Sequence, residues 1–280
     1  MVSRGRIVFI GVALIIIGLL GALMTFNKGG HQMTIEKNID KAGITTIDME
    51  ADHGSIIVLP SVDNQITVEL SAKDPENLLT IDTVDSTLFI KVMNERTKWF
   101  NFGFQDEATL KVYVPEGNYE QLLTNIDNGS IEAADVQATS LQFNSDNGRI
   151  NLQSIHGETI HVNSENGRIE LSEITATKTH VKSDNGKIDL IDVNSQIHGY
   201  SNNGKITLTT DHLDRTVDLE VNNGKITVTT DEEPTNATLD LRTANGKINV
   251  FGSSDWETVI GSGDHLIKLV TNNGSIKITK

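Results

Sequence analysis

Cysteine is absent from the 280 residues, proline occurs 4 times, and aromatic residues make up 5%. Without cysteine there is no disulfide framework, no thiolate metal centre and no cysteine nucleophile. That absence leaves the compartment open. Four prolines and 23 glycines beside 37% hydrophobic residues exclude a collagen-like chain and argue against disorder. So few aromatics leave Ile, Leu and Val to build the core. Basic residues are also in deficit, with 23 Lys and Arg against 38 Asp and Glu, a formal net charge of −15. A surface of that sign argues against nucleic acid as a partner. The signatures of common enzymes are missing too: no P-loop, no G-x-S-x-G elbow, no H-E-x-x-H and no dinucleotide fingerprint.

One long hydrophobic run is present. Residues 7–26 are apolar or glycine apart from a single threonine. At about 1.5 Å per residue such a helix spans roughly 30 Å, the thickness of a bilayer core. Arg4 and Arg6 precede it and only Lys28 follows closely. The positive-inside rule then predicts residues 1–6 in the cytoplasm, a transmembrane anchor at 7–26, a linker at 27–41 and everything later outside the cell membrane. The alternative is a cleaved signal peptide. It would have a shorter apolar region of about 7–15 residues and a small-residue cleavage site, which Gly21-Ala22-Leu23-Met24 matches poorly. Arg4, Arg6 and Lys28 are the only charges in the first 30 residues, so the remainder carries a formal −18.

Beyond the linker the sequence repeats. Asn-Gly recurs at Asn128-Gly129, Asn147-Gly148, Asn166-Gly167, Asn185-Gly186, Asn203-Gly204, Asn223-Gly224, Asn245-Gly246 and Asn273-Gly274. The glycines are 19, 19, 19, 18, 20, 22 and 28 residues apart. Two residues after each stands isoleucine, from Ile131 and Ile150 through to Ile276. Four after stands a residue such as Leu152, Leu171 or Val228, and five before stands Phe143, Val162, Val181 or Leu219. Apolar residues two apart mean short strands, and Asn-Gly supplies left-handed backbone for tight turns. A rung of this length cannot bury its own apolar side, whereas stacked rungs bury a continuous core.

The expected fold is therefore all-β, a β-solenoid (single-stranded β-helix) of ~19-residue Asn-Gly rungs behind one N-terminal transmembrane helix. Asn-Gly hairpins in a sandwich or meander remain the rival. Residues 42–120 read as an irregular N-terminal β part or cap, with a degenerate rung at His53-Gly54. Residues 121–280 read as regular repeats, and 251–266 as a C-terminal insertion.

The Asn-Gly-[Lys/Arg]-Ile-x-[Leu/Val] rungs at 147–152, 166–171, 185–190, 203–208 and 223–228, with Leu110-Lys-Val-Tyr-Val-Pro115, resemble a bacterial adhesin-like family of unknown function. With an anchor ahead of the repeats, the chain looks like its membrane-anchored Gram-positive, LiaG-like members, encoded with a cell-envelope stress system. The resemblance implies an adhesin-like or scaffold role at the cell envelope. It carries no catalytic residues and no cofactor. Partners would be the membrane, a cell-wall polymer or other envelope proteins.

Several columns carry candidate chemistry. One residue after the glycines stand Arg149, Arg168, Lys187, Lys205, Lys225 and Lys247, with Ser130 and Ser275 at the ends. Two before stand Asp146, Glu165 and Asp184, each expected to face the base of its own turn, while Lys205, Lys225 and Lys247 are left unpaired. That edge has the character of a polyanion-binding strip, for teichoic acid or anionic lipid head groups. It is equally the pattern of a solvated charge ladder. Six before the glycine, His161, His180 and His198 face outward; they are the only metal candidates, and weak ones. Trp99, Phe100, Phe102 and Phe104 form an aromatic run suited to packing as a cap or to contact with a partner or bilayer. Outward columns of acids, Glu170 and Asp189 with Asp218 and Asp240, keep open an alternative reading as a β-helix carbohydrate-active enzyme, and the anchor with residues 99–104 keeps open another, as an accessory subunit of a membrane signalling or stress complex.

Overall fold

The computed structural model describes residues 32–93 and 108–280. The expected anchor at 7–26 and the aromatic run at 99–104 lie outside the described residues. Among the described residues, no helix is long and apolar enough to cross a membrane.

Fifteen strands form one sheet system. They are β1 (Met33–Asp40), β2 (Thr46–Ser61), β3 (Gln65–Ala72), β4 (Leu79–Val84), β5 (Thr87–Val92), β6 (Thr109–Pro115), β7 (Gln121–Ala134), β8 (Ser140–Gln153), β9 (His156–Thr210), β10 (Val217–Thr230), β11 (Ala237–Asn245), β12 (Ile248–Val250), β13 (Val259–Ile260), β14 (His265–Asn273) and β15 (Ile276–Thr279). Among the described residues, one helical turn, Pro75–Leu78, interrupts them. The chain is all-β with a solenoid-like stack of rungs. The long β9 runs continuously through three Asn-Gly corners.

Successive rungs pair parallel and in register. Leu122 lies beside Leu141 and then Ile160, Asn128 beside Asn147 and then Asn166, and Ile131 beside Ile150 and then Ile169. Parallel pairing means that each Asn-Gly bends the chain within a rung and does not fold a hairpin. A one-residue slip would turn every inward side chain outward, so the apolar columns lock the register. Ile131, Ile150, Ile169, Ile188, Ile206 and Ile226 are each 0% exposed. They form one continuous file of core along the axis.

At both ends the order in space departs from the order in the chain. At the N-terminal end, β2 sits between β7 and a terminal rung made of two pieces, β5 and β6. Leu88 aligns with Ile47 and Leu110 with Ile56. Antiparallel β4 and β3 then cover the outer edges of β5 and β6, and β1 covers β3. At the C-terminal end, β11 and β12 form the outermost rung. The last rung, β14 and β15, is inserted between them and β10. The segment 251–266 carries the chain back to that slot, with β13 pairing β11 on the way. Insertion gives the final rung a neighbour on each side: Ile276 is 1% exposed, while Ile248 of the outer rung is only partly buried. The expected run of consecutive rungs ends differently because an open edge frays, and an end clamped between two rungs has no open edge.

Candidate functional site

The corner sets the geometry of every surface column. A Cβ placed on Gly148, Gly167, Gly186, Gly204 or Gly224 would fall onto the carbonyl oxygen of the glycine one rung before. Glycine is thus required by the closeness of the stack. Of the unusual backbone expected of Asn-Gly, positive φ occurs at Gly129, Gly148 and Gly224, with 145°, 155° and 153°, and not at the asparagines. Side-chain-bearing left-handed residues occur at a second corner six residues on, where Asp135, Ser154, Glu173 and Asp192 have φ of 54°, 52°, 56° and 52°.

The asparagines instead join side chain to side chain. Asn147 Nδ2 donates to Asn128 Oδ1 at 3.1 Å, Asn166 to Asn147 at 3.0 Å, and Asn185 to Asn166 at 3.0 Å. Asn203 donates to Asn185, Asn223 to Asn203, Asn273 to Asn223, and finally Asn245 to Asn273. The ladder runs in one direction along the rod and follows the swapped order of the last two rungs. An amide suits this position because it offers a donor to one neighbour and an acceptor to the other.

Past the corner, the second strand of each rung presents its first and third residues after the glycine on one outer face. This corrects the expected ion pairs. Arg168 and Lys187 both bind Asp189, at 3.2 and 2.7 Å, and Asp184 binds Lys182 at 3.4 Å. An acid before the corner and a base after it lie on different strands of the rung. Residues two apart on one strand share a face. The swapped last rung also breaks the expected run of six basic residues. Arg149, Arg168, Lys187, Lys205 and Lys225 adjoin in successive rungs, over about 19 Å at the rung spacing. Ser275 then intervenes before Lys247.

The same insertion brings in a lysine absent from the expected edge. Lys277 lies beside Thr227 on one side and Asn249 on the other. Lys205, Lys225, Lys247 and Lys277 make no ion pair among the described residues. Their third-position neighbours are Thr207, Thr227 and Asn249, where earlier rungs carry Glu132, Glu170 and Asp189. The C-terminal half of this face is therefore basic without acids. Nothing in the spacing of Lys277 reveals its membership, because that depends on which rung it stacks between.

The first strand of each rung forms a different outer face. His161, His180 and His198 are brought together as the outward column predicts. Their rings stack at 4.8 and 5.0 Å between centroids, tilted by 9° and 10°. Parallel rings at that spacing are not a chelate: two nitrogens on one tetrahedral zinc stand about 3.3 Å apart. Burial pulls the His180 pKa below its ordinary value, with help from the like charges of His161, His198 and Lys178. His198 Nδ1 lies 4.0 Å from Asp218, whose carboxylate also binds Lys268 at 3.1 Å.

The acids of the enzyme alternative are largely engaged. Asp189 is held by two bases, Asp218 by Lys268, and Asp240 by both Arg242 nitrogens at 2.7 and 2.9 Å. Beside the imidazoles, four residues before each glycine, stand Asn144, Asn163, Lys182, Tyr200 and Glu220. Alternation points this column outward too, a signal that the histidine column already contained.

Parallel in-register rungs, a one-way amide ladder at one corner and stacked surface columns define a β-solenoid-like fold. The chain belongs to the family described as Toastrack DUF4097, which matches residues 44–279. No curated protein matches it. Among solved structures it is similar to a candidate adhesin from Bacteroides fragilis, with 17% identity and a TM-score of 0.53 over 88% of this chain and 97% of that one. It is also similar to a candidate lipid-binding protein from Parabacteroides distasonis, with 14% identity and a TM-score of 0.56 over 90% and 98% of the two chains. At these identities the likeness is one of fold.

Proposed function

We propose that the chain is a non-catalytic, membrane-anchored rod that displays a binding surface outside the cell, acting as an adhesin-like or scaffold module at the envelope. Its anchor would be the run at 7–26, with the N-terminus in the cytoplasm. The LiaG-like pattern of anchor and repeats supports an envelope-stress setting.

The observation that carries this reading is the unpaired basic face of Lys205, Lys225, Lys247 and Lys277 on a chain of formal charge −15. Against an acidic background, a linear cationic strip with no acids among it concentrates attraction on a polymer of repeating anions. The fold holds the lysines at a fixed spacing, so no chain entropy is lost in aligning them on binding.

The test is retention on isolated, phosphate-rich cell wall. Changing Lys205, Lys225 and Lys247 together to Glu is expected to abolish retention, and salt is expected to weaken it in the unaltered protein. Unchanged retention after charge reversal overturns the reading.

A further inference from the structure

The face of the rod that carries the histidines holds a trough that neither the basic strip nor the apolar core explains. A cleft of ≈ 240 Å³ lies between the column of His180, His198 and Asp218 and the column of Lys182, Tyr200 and Glu220. Val181 and Gly199 also line it. Both are buried core-facing positions, so backbone forms the floor. The walls are residues two apart on each strand, about 7 Å, and the trough therefore runs along the rod axis. A second cleft of ≈ 390 Å³ lies alongside it, one column over and toward the earlier rungs, between Asn144, Asn163 and Lys182 on one side and Asp146, Glu165 and Asp184 on the other. The two share Asn163 and Lys182.

We propose that this trough binds an extended, hydroxyl-rich chain, a neutral glycan lying parallel to the rod. The lining selects that chemistry by what it offers and what it repels. Carboxylates of Asp146, Glu165, Asp184, Asp218 and Glu220 accept hydrogen bonds from hydroxyls and repel a polyanion. The amides of Asn144 and Asn163 and the ammonium of Lys182 supply donors. Imidazoles stacked face to face present their edges outward, and a neutral ring such as that of His180 offers one donor and one acceptor. Tyr200 adds a ring edge, its hydroxyl held by Asn222 Nδ2 at 2.8 Å. An apolar ligand would strand these polar groups without partners. Sites for hydroxyl-bearing ligands are built from such mixtures of fixed polar groups. The polar groups recur at the rung spacing of about 4.8 Å, which favours a ligand that itself repeats over one that binds at a single point.

The depressed His180 pKa fits this use. At neutral pH this favours the uncharged His180 ring, which keeps an acceptor. On acidification, His161 and His198 on the flanking rungs and Lys178 and Lys182 on its own strand all oppose a charge on His180. Asp218, tied to Lys268, stands at the far end of the stack.

The test uses the full chain with β-1,4-linked hexasaccharides of glucose and of N-acetylglucosamine, followed by titration calorimetry and histidine proton NMR. At least one hexasaccharide is expected to bind with a Kd of about 1 mM or tighter at about pH 7.5. Binding should shift the resonances of His180 and His198, and Tyr200→Ala or His180→Ala should weaken it about tenfold. Acidification far enough to protonate His180 should weaken it, because that ring then loses its acceptor. Lys205→Glu should leave it unchanged, which separates the trough from the basic strip. The proposal is overturned if neither hexasaccharide binds. It is overturned equally if binding survives both ring substitutions, or if binding is lost with Lys205→Glu in place of them.

Discussion

At the Asn-Gly corner the chain turns where the next rung leaves no room, and glycine stacks upon glycine from Gly54 to Gly246. At the opposite corner it turns through left-handed backbone at Asp135, Ser154, Glu173 and Asp192, with side chains in place. The first corner is governed by volume, and at Gly54, Gly129, Gly148 and Gly224 by a positive φ as well. The second carries an unfavourable backbone angle at exposed Asp135, Glu173 and Asp192 and at half-buried Ser154. The contrast shows that a repeated glycine can mark crowding as well as dihedral freedom. It also explains why one corner is conspicuous in the sequence and the other is not.

The comparison breaks most sharply at Gly167→Ala. The new Cβ falls onto the Gly148 carbonyl oxygen, which is itself part of the parallel ladder and has nowhere to go. A loss of about 3–5 kcal/mol is expected, read as a lowered denaturation midpoint. In a stack held by nearest-neighbour contacts, a lesion there separates two halves of the rod. The same change at Gly246, in the outer rung, should only fray an end, so its midpoint should fall less.

Asn166→Ala sharpens the comparison from the polar side. It removes the donor to Asn147 and the acceptor for Asn185, and leaves the glycine corner itself untouched. The ladder is exposed, so water takes up the abandoned partners. A loss of about 1–2 kcal/mol is expected from the unfolding midpoint. Asn128→Ala, at the end of the ladder with a single such bond, should cost about half of that.

These differences mirror what was legible in the sequence. The isoleucine column, the direction of the strands and the outward histidines follow from a period of two laid on a period of about nineteen, and the structure brings those residues into file. Ion-pair partners did not follow, because Asp184 and Lys187 are near in sequence yet separated by the corner, while Arg168 and Asp189 meet only across rungs. Lys277 joined the basic face, and Ser275 interrupted it, through a rung order that the 28-residue spacing signals as an insertion without revealing where it leads. The second corner carries Asp, Ser, Glu and Asp, a set with no common residue to betray a common dihedral. The trough depends on two columns read together, and only one of them draws the eye.

The smallest expected effect lies at that second corner. Asp192 is exposed with φ 52° and makes no side-chain hydrogen bond among the described residues. Left-handed backbone costs an ordinary residue about 1–2 kcal/mol, less for Asp, which enters that region readily. Glycine removes this cost and adds about 0.5–1 kcal/mol of unfolded-chain entropy. The two nearly cancel, so Asp192→Gly should leave the unfolding midpoint within about 0.5 kcal/mol of the unaltered protein. Asp192→Val should lower it by about 1–2 kcal/mol, since a β-branched side chain fits left-handed backbone poorly. If Asp192→Gly proves as damaging as Gly167→Ala, the second corner is governed by volume as well, and the distinction between the two corners fails.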